Sequence, residues 1–158
     1  MKIRIDFVTN SSSSSFVIGT PKKMESPEHW YQFLYGTNED FQGLDNDFLM
    51  TICNKIFSLA QELENKEKII KALECGGTVY ESEYPEFDYQ HFDNKKGWIE
   101  VFNKFKDKVH KWAIKKAEEM TDKKSVFYEF TIEDNTALGS YIEHDVYFGN
   151  TYVRISKH

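Results

Sequence analysis

The sequence predicts an α+β domain: a mainly antiparallel sheet built from the two ends of the chain, packed by three or four helices inserted between them. Three observations carry this. Apolar and polar residues alternate near residues 2–7 and again beyond residue 125, which is the period-2 signature of half-buried strands. Between these ends, apolar residues recur at i, i+3, i+4 and i+7, as in helices with one buried face. The 158 residues are 40% apolar and include 13 Phe, 9 Tyr and 3 Trp. That is enough apolar surface to offset chain entropy in one domain, residues 1–158.

Lys2-Ile3-Arg4-Ile5-Asp6-Phe7 predicts a strand with Ile3, Ile5 and Phe7 inward. The polar tract that follows, with Ser11, Ser12, Ser13, Ser14 and Ser15, predicts a hairpin loop. Its hydroxyls and amides could also wrap an anion or take a modification. Phe16 to Gly19 predicts the returning strand, so the first part of the sheet spans residues 2–20. Ser26-Pro27-Glu28 is a helix start, with Ser as N-cap and Pro in the first turn, and Gly36 is its stop. Asp45-Asn46-Asp47 starts a second helix whose stripe is Phe48, Leu49, Ile52, Cys53, Ile56, Leu59, Ala60 and Leu63, ending near Glu64. Lys66 to Cys75 predicts a third, closed by Gly76-Gly77.

Residues 78–93 form an acidic and aromatic excursion with Tyr80, Tyr84, Phe87 and Tyr89, and Pro85 excludes a central strand there. These rings either pack on the body of the domain or offer a partner surface. Asp93 to Met120 predicts a long helix with Trp98 or Ile99, Phe102, Phe105, Val109, Trp112, Ala113 and Ala117 on one stripe. Lys104, Lys106, Lys108, Lys111, Lys115 and Lys116 cover the remainder. The helical insertion is thus residues 26–120. Val126, Tyr128, Phe130 and Ile132 predict a strand, residues 141–148 a second, Gly149-Asn150 a two-residue turn, and Tyr152 to Ser156 a third. This three-stranded meander occupies residues 125–157.

With 26 acidic and 20 basic residues the net charge is −6, the wrong sign for gripping nucleic acid through bulk charge. The lysines of the long helix are the local exception, and Asp107, Glu118 and Glu119 interrupt them. No apolar run is long enough to cross a membrane, and the opening residues lack the apolar core of a secretory signal, so the expected location is cytoplasmic. Cys53 and Cys75 form neither a disulfide framework nor a zinc knuckle, and Cys53 reads as a small buried hydrophobe. The phosphate-loop, dinucleotide, zinc-protease and nucleophile-elbow motifs are missing, so no cofactor and no metal is expected.

Chemistry-bearing residues collect near the C-terminal meander as Asp134, Glu143, His144 and Arg154. On a strand 141–148, His144 would share a face with Ile142, Val146 and Phe148, and Glu143 the opposite face with Tyr141, Asp145 and Tyr147. His144 is then either a core histidine or a general base, with Asp134 or Glu143 orienting it and Arg154 clamping a phosphate or acyl anion. Across a turn at 149/150, His144 would face Ile155 rather than His158, which argues against a two-histidine metal site.

Asp6-Phe7-Val8-Thr9-Asn10, the five serines and Phe16-Val17-Ile18 resemble the opening of many small, uncharacterised proteins of bacteria and their phages. Glu133-Asp134-Asn135, Leu138-Gly139-Ser140, Glu143-His144 and Arg154-Ile155-Ser156-Lys157-His158 resemble the tail of some members, except that Lys157 stands where those have a second histidine. The resemblance is confined to the two ends and leaves the helical middle unmatched. It implies a bacterial or phage protein without an assigned activity. Its ends would share one sheet and form a platform of Ser11 to Ser15, Asp134, Glu143, His144 and Arg154. The leading functional expectation is a small binding module acting on a host or partner protein, through Tyr80, Tyr84, Phe87 and Tyr89 or the serine tract. The alternative is a small enzyme acting on a phosphate or acyl group, with His144 as general base.

Overall fold

A computed structural model describes residues 13–36, 45–74, 78–79, 95–122, 125–133, 135–148 and 152–157; for 78–79, 95–96, 98 and 152–157 it describes the backbone alone. The elements run β1 (Ser13–Thr20), α1 (Pro27–Tyr35), α2 (Asn46–Leu59), β2 (Gln61–Leu63), α3 (Lys66–Glu74), β3 (Thr78–Val79), α4 (Lys95–Thr121), β4 (Val126–Glu133), α5 (Ala137–Asp145) and β5 (Tyr152–Lys157). The α+β class is as the sequence predicts. The strands form one five-stranded antiparallel sheet in the order β2-β4-β1-β5-β3.

At β1 and β4 both faces of the sheet are covered, which explains why these strands carry buried residues at consecutive positions. Phe16, Ile18, Tyr128, Phe130 and Ile132 point to one side, where α1, α2 and α5 close a core around Trp30, Ile52, Cys53, Ile56, Ile142 and Phe148. Phe16 stacks on its register partner Phe130 at 5.0 Å, and Phe148 tilts against Phe16 at 5.2 Å. Val17, Leu63 and Phe127 point to the other side, under α3 and the second half of α4 with Leu73, Trp112, Ala113, Ala117 and Met120.

The helix starts follow local chemistry. Ser26 caps α1 by accepting from the His29 amide, Asp45 caps α2 by accepting from Asp47, and Thr136 caps α5 by accepting from Gly139. In α2, Leu49, Ile52, Cys53 and Ile56 are buried on one stripe. Full burial stabilises each of the larger aliphatic side chains by about 1.5–3 kcal/mol relative to exposure.

Four expectations are corrected. Ser13 to Ser15 belong to the central strand rather than a loop, because β1 is flanked by β4 over its whole length and by β5 from Ser13 to Ile18. The other half of the expected hairpin, residues 2–7, lies outside the described residues. The second helix stops at Leu59: Ala60 is extended, and Gln61–Leu63 pairs with β4 as an edge strand inside what was expected to be a helical insertion. The expected strand 141–148 is instead α5, followed by irregular chain at 146–148, so there is no C-terminal meander and β5 pairs with β1 and β3. Five helices are present among the described residues, and α5 lies outside the 26–120 insertion.

Candidate functional site

The local cause of α5 is its cap. Thr136 fixes the first turn through the Gly139 amide, and Leu138 and Ile142, four residues apart, then face the core. Gly139 is required here. A Cβ at this position would collide with the Glu133 carbonyl at the end of β4, so the helix sits against that strand with no room for a side chain. This rotation decides where the chemistry-bearing residues go.

Glu143 turns inward. The residue is 3% exposed, and its Oε1 accepts a hydrogen bond from the Ser14 hydroxyl on β1, itself fully buried. His144 turns outward from the last turn of α5, with its side chain 55% exposed and Nε2 3.8 Å from Glu143 Oε2. That separation is an ion-pair distance rather than a hydrogen bond. His144 is therefore neither on an apolar face nor in the core, which corrects the strand-based expectation; a helix turns successive side chains by about 100°.

The serine tract and the tail do meet, since Ser14 and Glu143, 129 residues apart in sequence, touch. Ser13 and Ser15 are half-buried, and Ser15 shares a 2.8 Å hydroxyl contact with Thr131 on the α3/α4 side of the sheet. Arg154 stands opposite Phe16 in the β1–β5 register, two residues along β1 from Ser14. Ile155, expected opposite His144, is instead the register partner of Ser15 and Val79. Ser11, Ser12, Asp134, Tyr80, Tyr84, Phe87, Tyr89 and His158 lie outside the described residues.

Chemically, Ser14 and Glu143 form a brace. The hydroxyl donates to the carboxylate and not to His144, and no solvent reaches it, so a substrate has no path to a Ser–His nucleophile pair. The contact ties α5 to the middle of the sheet through a charge-assisted hydrogen bond, stronger than a neutral one. No group of three or more His, Cys, Asp or Glu that could hold a metal occurs among the described residues. Cys53 is buried beneath α1, and burial pushes its thiol up to about 12, which removes it as a nucleophile near neutrality.

A second feature lies on the long helix. α4 runs for 27 residues, about 40 Å, and its second half packs in the α3/α4 core. Ile99, on the same stripe as Ala113 and Ala117, is 51% exposed. Lys106 lies over the Phe102 ring at 5.0 Å. Among the described residues no helix is long and apolar enough to cross a membrane. Comparison of the chain with protein-family models, curated proteins and solved structures finds no match.

Proposed function

We propose that the chain is a small binding module that engages a partner protein through the first half of α4, with the sheet as its rigid support. The observation that carries this reading is the exposure of Ile99 on an apolar stripe that is buried further along the same helix. An apolar stripe that is buried at one end of a helix and exposed at Ile99 suits a partner's groove, which is the helix-in-groove mode of recognition. A bacterial or phage origin, as the two ends imply, would make the partner a host or bacterial protein in the cytoplasm. The segment with Tyr80, Tyr84, Phe87 and Tyr89 immediately precedes α4 in sequence, so its aromatic rings fit the same reading.

The acid–base reading has less support. It asks His144 to act beside Asp134 or Glu143; Asp134 lies outside the described residues, and Glu143 is sealed against Ser14.

The test is a photo-reactive benzoylphenylalanine placed at Ile99 of the full chain in cells of its source organism. The expected result is one discrete cross-linked protein, with none from the same probe at exposed Lys68. Identical adduct patterns from both positions, or no adduct at Ile99, would overturn the reading.

A further inference from the structure

We infer that the outward face of α4, on the side of the helix away from the Ile99 stripe, is a lysine ridge that selects an acidic protein segment, a second surface beside the binding reading above. Lys104, Lys108, Lys111 and Lys115 follow the i, i+4, i+7, i+11 spacing that places four side chains in one row along a helix. The row rises about 16 Å from end to end. It lies on the side of α4 opposite Val109, Ala113, Ala117 and Met120, which are buried, and all four lysines are exposed. Lys104 and Lys108 make no ion pair among the described residues. Lys111 and Lys115 reach Asp107 and Glu119 only at 4.0 and 3.8 Å, with both lysine side chains at least three-quarters exposed. Such contacts are weak and yield readily to a better-placed carboxylate.

Charge and residue type decide what fits. The chain as a whole is net −6, so α4 is a basic row on an acidic body. The basic residues of α4 are all lysine and histidine, without the arginine fork that grips phosphates in pairs. Asp107, Glu118 and Glu119 flank the row and would oppose a phosphate backbone laid along it. An acidic helix or extended peptide carrying spaced carboxylates meets each ammonium singly and avoids the flanking acids, as charged edges do in helix pairing.

The experiment uses the full chain and poly-L-glutamate as the acidic probe, with single-stranded poly(U) RNA as the competitor class, at about 50 mM salt. A charge-reversed variant, Lys104→Glu, Lys108→Glu, Lys111→Glu and Lys115→Glu, is compared with a control that changes the net charge equally, Lys22→Glu, Lys55→Glu, Lys68→Glu and Lys71→Glu. Circular dichroism verifies that both are folded. The expected result is binding of poly-L-glutamate that weakens at least about tenfold in the ridge variant and less than about threefold in the control, and that falls with added salt. Equal losses in the two variants, no binding by the unmodified chain, or tighter ridge-dependent binding of poly(U) would each overturn the inference. The Ile99 cross-link is read independently, so loss of the ridge effect with the adduct retained refutes the acidic partner and leaves the binding reading standing.

Discussion

Replacing Ser14 with alanine tests the brace between β1 and α5 directly. The residue is fully buried, its hydroxyl donates to Glu143, and the Glu143 side chain has no exposed surface of its own. A hydrogen bond to a charged group contributes about 1.5–3 kcal/mol, and a buried carboxylate deprived of that donor cannot recover it from water. The small methyl adds little apolar burial in return, so Ser14→Ala should cost about 2 kcal/mol. For a chain of this size that corresponds to a fall in Tm of roughly 4–8 °C. Glu143→Gln keeps an oxygen that Ser14 can donate to and loses only the charge assistance, so it should cost less, about 1 kcal/mol. The assay is urea unfolding followed by tryptophan fluorescence, with midpoint and slope both fitted. In the double variant the losses should fall short of additive by about 0.5–1 kcal/mol, since both changes remove the same contact. Ser15→Ala is the control: its hydroxyl contact with Thr131 is exposed, and the expected change is within about 0.5 kcal/mol. A loss under about 0.5 kcal/mol for Ser14→Ala, or full additivity in the cycle, would refute the brace.

Other consequences can be measured in the same protein. His144→Ala should shift stability by no more than about 0.5 kcal/mol, because the imidazole is exposed and lies 3.8 Å from the Glu143 carboxylate; a large loss by urea unfolding would mean it carries structure. Gly139→Ala should destabilise by more than about 2 kcal/mol although alanine favours a helix by up to about 1 kcal/mol, because the new methyl meets backbone at Glu133 and not a side chain that could move; an unchanged or raised Tm would show that the α5–β4 approach is looser than described. In a Cys75→Ser background, Cys53 should react with a disulfide reagent at pH 8 only as fast as the protein opens. The same thiol ionises near its ordinary value of 9.0 in the unfolded chain, whereas burial pushes it up to about 12 when folded. Stability should therefore be complete below pH 9 and decline as pH rises from there through about 12, at up to about 1.4 kcal/mol per pH unit. Cys53→Ala should flatten that decline, and an unchanged slope would refute the assignment.

What the sequence showed was local. Ser26-Pro27 and Asp45 are helix starts whose caps need only neighbours within three residues, and both elements begin where those residues place them. The long stripe of α4 and the alternation of β4 were equally legible, since each repeats over many residues. The failures are non-local. Leu63 continues the stripe of α2 at the right spacing, yet it is buried as part of a strand, because pairing of Gln61–Leu63 with β4 overrides the helical period. Residues 141–148 alternate like a strand only because the end of α5 and the chain beyond it both supply apolar residues at even positions. The Thr136 cap and the absence of a Cβ at Gly139 decide otherwise. Within the candidate site, Glu143 and Ser14 were legible as polar residues of interest, but nothing near either of them in sequence marks a carboxylate for burial. The cause is the partner hydroxyl on β1, which only the fold supplies.

The position of β1 also governs the order in which the molecule can be assembled. Its two neighbours come from far along the chain: Ser15 meets Thr131 across 116 residues, and β5 is more distant still. During synthesis at about 5–20 residues per second, the apolar run from Phe16 to Ile18 is made early and must wait several seconds for the strands that flank it. Throughout that interval it is an open edge on both sides, the form in which nascent strands are most prone to wrong pairing. The polar serines preceding it bring no apolar side chains of their own to such mispairing. The centre of this sheet is thus closed only after β4 and β5 have left the ribosome, and folding is set by long loop closures rather than by the helices between them.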